Sequence, residues 1–70
     1  MGIQISEEIY NYIFNYGGEG AGAEFVFEED GEYFFIGDWE DFGLQEQDGG
    51  VWTISSRPSQ IGVFVGYIIP

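Results

Sequence analysis

Seventy residues carry thirteen carboxylates against a single basic residue, a net charge of −12, with no cysteine and no histidine. That composition excludes disulfide bridges, thiolate metal sites, thiol nucleophiles and imidazole general bases. With Arg57 as the one cation, the chain cannot neutralise a nucleic-acid backbone, which excludes direct nucleic-acid binding.

What remains is apolar. Hydrophobic residues make up 44% of the chain, including seven Phe, five Tyr and two Trp. Aromatic side chains bury large areas, so one small core is feasible in a single domain spanning residues 1–70. The start has no basic n-region and no apolar run approaches a membrane span. A soluble cytoplasmic protein with no membrane partner and no cofactor is expected.

In chain order, residues 1–5 are short and apolar. Ser6 has the character of a helix N-cap, followed by Glu7 and Glu8 where the helix dipole favours negative charge. The helix is expected over residues 7–16, with Ile9 and Ile13 on one face and Tyr12 and Tyr16 on a neighbouring one. Ile5 and Tyr10 are placed to form a hydrophobic staple. Gly17 is the natural left-handed stop, and residues 17–22, GGEGAG, read as a flexible connector without a phosphate-loop ending.

Residues 24–36 carry the strongest local signal, a hairpin closed by Asp30-Gly31. A two-residue turn pairs Glu29 with Glu32, Glu28 with Tyr33, Phe27 with Phe34 and Val26 with Phe35. Phe25, Phe27, Phe34 and Ile36 then share the face expected in the core, leaving Glu24, Val26, Glu28, Tyr33 and Phe35 outside. Asp38 to Asp41, between Gly37 and Gly43, read as a loop or a single helical turn.

A second hairpin pairs residues 42–47 with 51–56. A three-residue loop, Asp48-Gly49-Gly50, sets Leu44 opposite Ile54 and Glu46 opposite Trp52, and this is preferred because it aligns the apolar residues. Arg57 to Gln60 form a turn, and residues 61–69 the last strand, with Ile61, Val63, Val65, Tyr67 and Ile69 on one face. Gly62 and Gly66 imply close approach of a neighbouring backbone or a strong bend. The expected fold is α+β: a short N-terminal helix followed by an antiparallel meander of about five strands. Its sheet is either half-covered by the helix or rolled into a small barrel.

Ten of the thirteen carboxylates fall within residues 24–48: Glu24, Glu28, Glu29, Asp30, Glu32, Asp38, Glu40, Asp41, Glu46 and Asp48. They interleave with aromatics, unlike a disordered acidic tail. Two carboxylates ~7 Å apart in water repel by roughly 0.6 kcal/mol, and a cluster of ten sums many such terms. Solubility alone needs a net charge of only about 2–8 in magnitude. Such a cluster opposes compaction, so it points to use as a surface, with Tyr33, Phe35 and Trp39 as candidate aromatic anchors inside it.

Catalytic options are few. Ser55, Ser56 and Ser59 have no activating neighbour, and paired carboxylates for glycoside hydrolysis need a cleft that 70 residues hardly enclose. A calcium loop starting at Asp38 fails where Phe42 and Gly49 replace ligands, which leaves only an irregular site around Asp38, Glu40 and Asp41. A non-enzymatic role without metal is expected.

Duplex DNA carries about twelve charges over ~20 Å, the length of a six-residue strand. In size, acidity and the EEDGE (Glu28 to Glu32) and DWED (Asp38 to Asp41) stretches, the chain resembles the phage-encoded DNA-mimic inhibitors, the anti-CRISPR and anti-restriction proteins. The resemblance implies a monomer or homodimer, in the cytoplasm of an infected bacterial host, that covers the basic groove of a nuclease or CRISPR effector. The alternative is a small phage accessory protein that oligomerises through sheet edges and aromatic surface, with GVFVGYII (Gly62 to Ile69) pairing to another copy.

Overall fold

The computed structural model describes residues 2–18, 20–60 and 62–70. The fold is α+β, with one helix and two antiparallel three-stranded sheets, in place of one five-stranded meander. Strand β1 (Ile3–Ile5) precedes helix α1 (Glu7–Phe14). The hairpin β2 (Val26–Glu29) and β3 (Glu32–Phe35) joins β1 in the order β1-β3-β2. Strands β4 (Leu44–Gln47), β5 (Gly50–Thr53) and β6 (Phe64–Tyr67) form the second sheet in chain order.

The two sheets meet at β1 and the end of β6. Ile5 bridges Ile68, the Ser6 amide donates to the Tyr67 carbonyl at 2.9 Å, and the Ile69 amide donates to the Gln4 carbonyl at 2.9 Å. β2 and β4 are left as outer strands of their sheets, so the sheet does not close into a barrel. β1 was not expected from the sequence, being three residues long. It places the helix, because Ser6 alone separates them.

Ser6 caps α1 as expected, its side chain accepting from the Ile9 amide at 3.4 Å. The helix ends at Phe14, two residues early, because Asn15 closes it. The Asn15 backbone and side-chain amides both donate to the Asn11 carbonyl, at 3.1 and 2.8 Å. Gly17 takes its left-handed φ of +79° just beyond, inside a short 3-10 turn, Tyr16–Gly18. Of the expected connector, Gly17, Gly18, Gly20 and Ala21 are exposed and Gly22 is packed, while Glu19 lies outside the described residues. A second 3-10 turn, Ala21–Glu24, buries Gly22 so tightly that a Cβ there would overlap the Ile13 carbonyl.

The hairpin register is as expected, from Val26 opposite Phe35 to Glu29 opposite Glu32. Its faces are reversed. Val26 and Phe35 are buried, whereas Phe27, Phe25 and Ile36 are each more than a third exposed and Phe34 is half-buried. The buried face is the one α1 covers: Ile5, Ile9, Ile13, Val26, Phe35, Phe42, Leu44 and Val51 form a single core. Counting apolar residues along two strands chose the other face. The side on which β1 delivers the helix decided it.

The second hairpin takes the register not preferred, with Leu44 opposite Thr53 and Gln47 opposite Gly50. Asp48 and Gly49 have φ of +53° and +79°, matching +52° and +82° at Asp30 and Gly31. Two left-handed residues in succession form the turn whose twist suits a two-residue hairpin, and Asp-Gly favours it. Leu44 and Val51 then share the buried face, and Ile54 is left exposed.

Arg57 to Gln60 turn as expected, the Gln60 amide donating to the Arg57 carbonyl at 3.1 Å. The last strand is shorter than residues 61–69, and Ile61 lies outside the described residues. A bulge between Val51 and Trp52 breaks the expected alternation. Gly66 faces inward, where a Cβ would press on Ser6 Oγ and Ile9, so its close approach is to the helix. A Cβ at Gly62 would likewise overlap the Thr53 carbonyl.

Candidate partner-binding surface

All ten carboxylates of residues 24–48 are exposed. The fold sorts eight of them into two groups. Glu28, Glu29, Asp30 and Glu32 surround the β2–β3 turn, with Glu29 and Glu32 directly opposed across the ladder. Like charges in that position weaken a hairpin. Glu28 folds back on the turn, its Oε2 accepting from the Gly31 amide at 2.9 Å.

The second group lines an open groove of roughly 560 Å³, where Asp38, Glu40, Asp41 and Glu46 meet around Trp39. The 3-10 turn Trp39–Phe42 supplies one wall and β4 the other. This is the single helical turn that was one of the two expected readings. The two groups flank β3, whose four residues span about 10–13 Å at the rise of an extended chain. Glu24 ends a 3-10 turn and Asp48 sits in the β4–β5 turn, so neither lines the groove. Among the described residues no three carboxylates converge closely enough to hold a metal ion.

Of the candidate anchors, Phe35 is 2% exposed and cannot reach a partner. Trp39 is half-buried, stacked on Phe35 at 4.3 Å between ring centres, and its indole N–H donates to Glu46 Oε1 at 3.2 Å. One face of the indole thus belongs to the core and its nitrogen to the acidic groove. Tyr33 is half-buried against Tyr10, 4.7 Å between ring centres, and its hydroxyl donates to Glu7 Oε2 at 3.4 Å.

Loss of solvent around its ring, followed by the charges of Glu7 and Glu28, holds the Tyr33 phenol above its ordinary value of 10.0. A group protonated more tightly in the folded state contributes stability that is complete below the unfolded value. That contribution is lost as pH rises through the folded value. Glu7→Gln is therefore expected to lower the titration midpoint of Tyr33, read from phenolate absorbance as the difference between that variant and its Tyr33→Phe derivative. An unchanged midpoint would mean that the Glu7 contact does not form in solution.

The aromatics on the outer face of the acidic hairpin are different ones, exposed Phe27 and half-buried Phe34. They stack at 5.0 Å and 15° on the outer face of β2–β3. By the two-residue period of a strand they share that face with Glu29 and Glu32. Sequence reasoning assigned both to the core. The available signal was this shared face, since a face bearing two directly opposed carboxylates must be the wet one.

No helix among the described residues is long and apolar enough to cross a membrane. Comparison with known proteins finds no family model, no curated protein and no solved structure that matches the chain.

Proposed function

We propose that the domain is a non-enzymatic inhibitor that offers DNA-like negative charge to the basic nucleic-acid-binding groove of a nuclease or CRISPR effector complex. This is the mode of action of the phage-encoded anti-CRISPR and anti-restriction inhibitors that it resembles in composition, and it would act in the cytoplasm of an infected bacterial host. The observation that carries the reading is the gathering of eight exposed carboxylates into two groups, four around the β2–β3 turn and four around the groove at Trp39.

Charge supplies the approach and the orientation. Rows of carboxylates steer a basic groove at long range and fix the register of docking. The Phe27–Phe34 stack, set in the acidic field beside Glu29 and Glu32, adds an apolar contact of the kind that concentrates binding energy. The indole of Trp39 is held at the second group for the same purpose, and Tyr33 edges the first.

Capture on immobilised protein from a bacterial lysate, followed by a salt gradient, tests the reading. Proteins with basic nucleic-acid grooves are expected to bind at low salt and to elute as ionic strength approaches 1 M, where the screening length falls to about 3 Å. Retention of the bound proteins at that ionic strength, or capture of none with such a groove, would contradict it.

A further inference from the structure

We propose that the outer face of the β2–β3 hairpin receives an arginine side chain of the partner protein, in preference to a lysine. The inference rests on the inhibitor reading above and names the group that the hairpin takes from its partner. Two rungs of the ladder build the site. Phe27 lies opposite Phe34, and Glu29 lies opposite Glu32. By the alternation of a strand these four side chains share one face. Helix α1 covers the other face, where Val26 and Phe35 are buried.

The two rings are stacked, 5.0 Å between centres and 15° from parallel. Phe27 is 37% exposed, so the pair offers aromatic surface to an incoming group. The carboxylates lie two residues along each strand, about 6.6–6.8 Å at the rise of an extended chain. An arginine suits that arrangement. Its methylene stem covers apolar surface while its head stays with charge. The flat guanidinium also stacks on an aromatic face and forks onto carboxylate oxygens, which a compact ammonium matches poorly.

Charge selects the occupant. Directly opposed carboxylates weaken a ladder, and a cation shared between them turns the repulsion into attraction. The chain has no lysine, and Arg57 is its one basic side chain. Arg57 lines a depression with Gln45 and Gln47 of the second sheet, away from this hairpin. The cation that relieves Glu29 and Glu32 therefore comes from the partner, and the stacked rings set its type.

Titration of the purified domain with two synthetic peptides of equal charge tests this. One alternates glycine with three arginines, the other glycine with three lysines. At low salt the arginine peptide is expected to bind about threefold or more tighter. NMR shifts on titration are expected to centre on residues 27, 29, 32 and 34. Phe27→Leu keeps an apolar side chain but removes one ring, and most of the arginine preference should go with it. The wild-type chain supplies the preference and the map without any variant.

Equal binding of the two peptides, a preference that Phe27→Leu leaves intact, or shifts centred away from these four residues would each overturn the proposal. The charge-based inhibitor reading would survive those results. Binding of neither peptide at low salt would remove both.

Discussion

Replacing Glu28, Glu29, Asp30 and Glu32 together by lysine is expected to abolish inhibition while leaving the domain folded. Each change moves the charge by two, so four take it from −12 to −4. Every one of the four is exposed, and none supports the core. Two local costs are foreseen. Lysine at Asp30 must adopt φ of +52°, at about 1–2 kcal/mol, and the Glu28 contact to the Gly31 amide is lost.

Relief of the opposed Glu29–Glu32 pair and attraction to the remaining acids offset these costs, so the thermal midpoint should change little. At a basic groove each substitution removes an attraction and adds a repulsion. A loss of affinity of at least about 100-fold is expected. Retained inhibition in a folded variant would remove the hairpin tip from the mechanism and leave the Asp38–Glu46 groove to carry it.

The second large effect separates the two faces of the same hairpin. Phe35→Ala is expected to cost about 3–5 kcal/mol, since it empties a side chain that contacts Trp39 and Phe42 in the core. At about 0.05–0.15 kcal/mol per residue, that is much of a small domain's total stability. The variant should populate unfolded chain at room temperature.

Phe27→Ala, one rung away on the opposite face, removes an exposed ring stacked on Phe34 and should cost no more than about 1 kcal/mol. Its effect belongs in binding, where the lost contact should weaken capture of a basic partner. Urea denaturation of the two variants measures the difference. Equal destabilisation would mean that Phe27 is as buried as Phe35.

That contrast marks where the sequence was legible. Asp30-Gly31 dictated a turn of two left-handed residues, and from it every pair of the first hairpin followed, because register is a local property. The cap at Ser6 and the buried Ile9–Ile13 pair were equally local. Which face of the hairpin goes inward is not local. It depends on β1, three residues long and far from the hairpin in sequence, which pairs with β3 and passes directly into the covering helix.

The second hairpin shows the reverse error. Aligning Leu44 with Ile54 favoured a three-residue loop over the preference of Asp48-Gly49 for the same turn as Asp30-Gly31. Turn chemistry was the better guide, since only the two-residue turn puts Leu44 and Val51 on one buried face.

The acidic surface was legible as composition and only partly as geometry. Exposure of the ten carboxylates follows from the cost of burying an unpaired charge. Their division into a turn and a groove follows from the path of residues 37–43, which the brackets of Gly37 and Gly43 left open until Trp39 was seen stacked on Phe35. The same burial took Phe35 out of the candidate surface and left Phe27 and Phe34 on the outer face of the hairpin.

The most direct measurement is whether a target nuclease or CRISPR effector can hold this protein and its DNA together. Mixing effector, fluorescent target DNA and increasing amounts of the protein, and following DNA anisotropy, separates the outcomes. Mutually exclusive occupancy is expected, with the DNA released in proportion to protein bound and the apparent affinity falling as salt rises. A stable three-component complex, with DNA bound as tightly as in the protein's absence, would contradict the substitution of carboxylates for phosphates.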